Sequence, residues 1–95
     1  MTTTQRETAL ERDRETIERV RASYGHYSVE TLRMIARDTL LRISAIERSL
    51  ADGSAAKAYR HSGDLRESLM QIEWAASEKR LVLEGVESLI RERGL

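Results

Sequence analysis

The chain has no cysteine and no proline among its 95 residues. Without thiols there is no disulfide, no thiolate metal site and no cysteine nucleophile. Without proline nothing forces a break inside a helix. No run approaches the roughly eighteen apolar residues of a membrane span, and Met1 to Arg19 carries charges throughout with no apolar signal-peptide core. These absences lead us to expect a soluble, cytoplasmic protein with no membrane partner. Charge of one sign is also missing: sixteen basic side chains offset sixteen acidic ones. That balance removes the electrostatic footprint of a protein that binds nucleic acid through its phosphates. Fourteen of the sixteen basic residues are arginine, a bias that a GC-rich genome explains better than selection for bidentate ion pairs does.

What the sequence does contain is helical periodicity. The length fits one domain, residues 1–95, with a single modest core, and a chain this short buries only about 60–65% of its unfolded surface. Self-association is a common remedy. A first helix is predicted over about 5–24, started by a Thr4/Glu7 capping box. Its narrow seam is Leu10, Ile17, Val20, Tyr24 and Tyr27, interrupted by Asp13. Ten of the sixteen residues from Arg6 to Arg21 are charged, with Glu15/Arg19 and Arg14/Glu18 spaced to pair across a turn. Gly25, in the left-handed conformation, and Ser28, as the next N-cap, frame a tight connection. The second helix, about 29–51, carries Val29, Leu32, Ala36, Thr39, Ile43, Ile46 and Leu50 at alternating spacings of three and four. Ile35, Leu40 and Leu41 widen that stripe, which predicts the central, most buried helix.

Residues 52–63 read as a connector whose alanine-rich middle has the composition of a short helical turn. Asp64 and Glu67 then open a third helix to about residue 93. Its seam is Leu65, Leu69, Ile72, Ala76, Lys79, Leu83, Val86 and Ile90. Ala75, Val82 and Leu89 broaden one side, and Met70, Trp74 and Leu81 lie on the other. Lys79 on this seam is expected to pair with a carboxylate or fix register. At 1.5 Å per residue this helix is roughly 43 Å long, against about 30–35 Å for the other two. The fold class is therefore all-α, a three-helix bundle or a helical hairpin plus a long third helix, completed by homo-oligomerisation. The expected core is Ile17, Val20, Leu32, Ala36, Ile43, Ile46, Leu69, Ile72, Leu83 and Val86.

Catalytic and metal signatures are absent. A helical carboxylate metal site needs a pattern such as Glu-x-x-His on bundle-facing positions, and His26 and His61 have no such context. No nucleophile elbow, phosphate loop or dinucleotide fingerprint occurs. We expect no metal, no cofactor and no enzymatic activity. Lys57, Tyr59, Arg60, His61 and Ser62 gather cations, an imidazole and an aromatic ring just before a helix N-terminus, where anions bind. Asp64 puts a carboxylate in that position, which favours an ordinary polar connector. Tyr24, His26 and Tyr27 read as a plug closing one end of the bundle.

Three functional classes follow. The leading one is a non-enzymatic helical protein-interaction module, a small adaptor, regulator or inhibitor, acting through the apolar face of the third helix. Met70, Trp74 and Leu81 would form its partner or oligomer interface. The second is a homo-oligomeric binder of a small anionic or nucleotide-like ligand, using Lys57, Tyr59, Arg60 and His61. The third is a small all-α enzyme on an intertwined dimer.

Overall fold

A computed structural model describes residues 2–61 and 63–94. Of these, 86% are helical and none forms a strand. Four helices follow in order: α1 Thr3–Tyr24, α2 Val29–Ala51, α3 Ser54–Ala58 and α4 Leu65–Arg93.

The helix starts follow capping chemistry, with one displacement. α1 begins two residues before the Thr4/Glu7 box. Thr2 accepts from the Gln5 N–H at 3.2 Å and the Gln5 side chain accepts from the Thr2 N–H at 3.0 Å. Three consecutive threonines each offer a capping hydroxyl, and Gln5 does what Glu7 was expected to do, so the helix gains a half turn. Ser28 caps α2 through the Thr31 N–H, and Asp64 caps α4 through the Glu67 N–H at 3.0 Å. Gly25 ends α1 in the right-handed region, φ −64° and ψ −17°. The left-handed turn expected there is absent. Instead Arg93, at the far end of α4, donates to the Gly25 carbonyl and, at 2.9 Å, to that of Tyr27. A cation thus satisfies carbonyls at the end of α1, where the helix dipole favours positive charge.

The sequence placed α2 at the centre of the fold, but α4 occupies that position. α2 packs antiparallel to α4, with Arg80 paired to Glu47 across the contact. α1 packs parallel to α4 on another stripe: Arg21 donates to Ser88 and to Glu92, both at 2.6 Å. Gly85 makes that second contact possible. A Cβ there would lie 2.6 Å from Val20 Cγ1 and 3.3 Å from the Ile17 carbonyl oxygen, so only a glycine lets the two helices come this close. The breadth of the α2 stripe misled because α1 seats on α4 rather than on α2. Met34, Leu40 and Leu41 are consequently 72%, 54% and 61% exposed.

Placing α4 between α1 and α2 gives a flat layer of 48 × 35 × 18 Å. Its radius of gyration is 16.0 Å, whereas a compact chain of this length has about 12–13 Å. The core is correspondingly small. Val20, Leu32, Val86 and Leu89 form its centre, with Ile43, Ala55 and Ala76 also buried. Of the expected core, Ile17, Ala36, Ile46, Leu69, Ile72 and Leu83 are only half-buried. The charge pairs expected within α1 do not form: Arg19 donates to Thr16 Oγ1 at 3.1 Å, and Arg21 reaches α4. No described helix is long and apolar enough to cross a membrane.

Candidate functional site

One stripe of α4 runs through Met70, Trp74, Leu81, Gly85, Ser88 and Glu92, positions that share a face at helical spacing. α1 covers its C-terminal half, because Val20 seats on Gly85 and Arg21 grips Ser88 and Glu92. The N-terminal half has no such cover. Leu81, half-buried, stands where cover ends, in a groove of about 350 Å³ lined by Leu10, Asp13, Arg14, Ile17, Leu81 and Glu84. Two turns back, Trp74 is 67% exposed and Met70 58%, and Leu10, across the groove with Leu81, is 57% exposed. α1 thus leaves a notch between its own N-terminal half and that of α4.

The separation has a cause in the sequence. α1 has one buried residue, Val20, near its C-terminal end. Before Ile17 its seam carries Asp13 in place of an apolar side chain, and only Leu10 remains to hold α1 against α4. Burial of a single leucine contributes about 1.5–3 kcal/mol, which is little against the desolvation of the charged residues around it. The connector does not substitute for α1. α3 packs on α2 and α4 through Ala55, and Trp74 stays open to solvent. Of the three residues singled out in the sequence, Leu81 lines the groove, and Met70 and Trp74 stand exposed on the same stripe beyond it.

The 57–61 cluster is less organised. Lys57, Tyr59, Arg60 and His61 are all exposed. Arg60 Nε donates to His61 Nε2 at 3.1 Å, so the guanidinium and the imidazole engage each other. The Asp64 carboxylate already accepts from the first turn of α4. Ser62 lies outside the described residues. At the α1–α2 turn, Tyr24 packs on the core, and Tyr27 stacks outside it with ring centroids 5.8 Å from Tyr24 and 4.2 Å from His26. Only Tyr24 acts as the plug.

A second groove of about 300 Å³ lies between α2 and α4, lined by Tyr24, Ile35, Asp38, Thr39, Arg42, Lys79 and Val82. Asp38, the carboxylate that lines this groove with Lys79, pairs with Arg42 at 3.0 Å, and the expected lysine pair is not made. Asp52 stands at the junction of α2 and α3. The Ser54 hydroxyl and N–H, the latter at 2.8 Å, hold its carboxyl below the ordinary aspartate value. It accepts from the first N–H of the short α3, which is a structural task. Among the described residues no group of three or more histidine or acidic side chains is placed to hold a metal ion.

Gly85 is the site residue the sequence reading missed. A mid-helix glycine costs about 1 kcal/mol against alanine, and that local penalty at a seam-adjacent position was the available signal. In comparison with known proteins, no family model matches this chain, and neither does any characterised protein or solved structure.

Proposed function

We propose that the chain is a non-enzymatic helical protein-interaction module, and that the α1/α4 notch receives an amphipathic helix of a partner protein. The observation that carries this reading is the solvent-exposed Trp74, on a stripe whose other half α1 already covers by the same packing. A partner helix laid against Met70 and Trp74 would continue the contact that Val20 and Ile17 make farther along. Tryptophan and methionine are enriched at interface centres, and helix-in-groove docking uses anchors at this spacing.

Area favours the same conclusion. The chain exposes 7247 Å², whereas a folded monomer of its mass exposes about 5,600 Å². The surplus, roughly 1,700 Å², exceeds the ~800 Å² that one partner contributes to a standard interface. Specificity would come from the charged rim of Asp13, Arg14 and Glu84 around Leu81.

The test is photo-crosslinking from a benzophenone side chain at position 74, with position 73 as the control. The reading expects a discrete adduct from position 74 alone. The purified adduct partner should then bind the wild-type chain, and Trp74→Ala should weaken that binding by about thirtyfold or more, the usual magnitude for a truncated tryptophan anchor. The same adducts from both positions, or equal binding by Trp74→Ala, would contradict it.

A further inference from the structure

The notch is not the only uncovered apolar surface. On the opposite edge of the layer, α2 presents Leu32, Ala36 and Ile43 to α4 and turns Met34, Leu41 and Ala45 outward, with Leu40 beside them. Met34 is 72% exposed and Leu41 61%, on a single stripe spaced by seven and four. Exposed apolar patches of this kind mark interaction sites.

The two ends of the stripe carry opposite charges. Glu30 stands in the first turn of α2 and Arg48 in the last. Among the described residues neither side chain forms a hydrogen bond or a close ion pair, and the only electrostatic neighbour of Arg48 is Asp52. This pattern is its own complement under a two-fold axis. Antiparallel pairing of two such faces, centred at the level of Thr39, sets Glu30 of each copy beside Arg48 of the other. It also sets Met34 against Ser44 and Leu41 against the aliphatic stem of Arg37. Parallel pairing would instead place Glu30 on Glu30 and Arg48 on Arg48. Small side chains at Ser44 and Ala45 allow close approach where the methionine must fit.

We propose that the outer face of α2 is a homodimer interface in which two α2 helices pair antiparallel, with Glu30 and Arg48 exchanged between copies at both ends. A two-fold contact is isologous, so one charge pair serves twice. The contact spans about 27 Å of helix and falls at the small end of specific interfaces, which makes a dimer with a dissociation constant of order micromolar the expected outcome. The dimer does not depend on the notch reading. It leaves both notches open on the outer edges, and Trp74 remains in water.

Sedimentation of the full chain from about 1 to 200 µM tests this, since that range brackets a micromolar equilibrium. The wild type should pass from monomer to dimer while the emission of its only tryptophan stays unchanged. Glu30→Arg and Arg48→Glu should each weaken the dimer by at least about tenfold, because each sets like charges opposite one another at both ends. The combined variant, Glu30→Arg with Arg48→Glu, should recover to within about threefold, because the pair is only swapped. Leu41→Glu should give monomer with wild-type helicity, and circular dichroism of every variant separates lost pairing from lost folding. A chain that stays monomeric throughout, a dimer indifferent to these charges, or a swap that does not rescue would each overturn the proposal. A dimer that buries Trp74 and is dissolved by Trp74→Ala would also overturn it, placing the second copy in the notch.

Discussion

Replacing Gly85 by alanine sets two effects of known sign against each other at the point where α1 crosses α4. Alanine is favoured over glycine inside a helix by about 0.8–1.0 kcal/mol, which alone would stabilise the chain. The new methyl, however, would lie 2.6 Å from Val20 Cγ1 and 3.0 Å from Val20 Cβ, where ordinary carbon contacts are about 3.5–4.0 Å. Valine in a helix has essentially one χ1 rotamer, so Val20 has little room to turn away. α1 must retreat by close to 1 Å, loosening the Arg21 contacts with Ser88 and Glu92. Overpacking of this kind costs about 1–3 kcal/mol, and the net expectation is a destabilisation of about 0–2 kcal/mol. The informative experiment is the cycle with Val20→Ala, measured by denaturant unfolding at unchanged slope. With Cγ1 removed the clash eases, and Gly85→Ala should approach its stabilising propensity value, giving a coupling of about 1–3 kcal/mol between the two sites. If Gly85→Ala stabilises the wild type by about 1 kcal/mol and shows no coupling to Val20, α1 is not seated on α4 as described.

Three further outcomes follow from the same geometry. Ile43, 4% exposed in the α2–α4 contact, should lose about 2–5 kcal/mol on change to alanine; tolerance of Ile43→Ala in chemical denaturation would contradict the α2 register. The carboxyl of Asp52 should titrate below the ordinary aspartate value and move upward in Ser54→Ala, followed by NMR of the side-chain carbon. Because the folded pKa is depressed, its stabilisation of the α2–α3 junction is complete above the unfolded value and is lost as pH falls through the folded one. Prolonged EDTA treatment should leave the melting temperature and helicity unchanged, and a large drop would reveal a metal site.

The parts of the fold written in local chemistry were legible. Ser28 and Asp64 cap helices where expected, and the α2 and α4 boundaries agree within a residue. The partnership of the helices was not legible, because a stripe records how much of a helix is apolar without naming what covers it. Leu40 and Leu41 widen the α2 stripe exactly as they would in a central helix, yet the seat for α1 was decided by Gly85, which leaves no mark in a hydrophobic pattern. Trp74 and Met70 were recognisable as surplus because α4 carries more apolar width than one helix can cover. Whether α1 or the connector would cover them depended on Asp13 weakening the α1 seam, and its effect on docking became evident only once α1 was placed beside α4. The 57–61 residues gather charge in sequence, which left a ligand site as the alternative to a polar connector, and in three dimensions Arg60 and His61 engage each other.

The proposed docking site sets Trp74 in an open notch that a partner helix fills. The measurement that bears on it most directly is collisional quenching of the Trp74 fluorescence by acrylamide, in the chain alone and then saturated with the partner recovered by crosslinking at position 74. Trp74 is the sole tryptophan, so the signal has one source. The indole should be open to the quencher in the isolated chain, at both monomer and dimer concentrations, and strongly protected with a blue-shifted emission once the partner is bound. Protection already present in the dilute chain would mean that α1 or the connector closes over Trp74, and unchanged quenching with partner bound would mean that the partner docks elsewhere; either result contradicts docking in the notch.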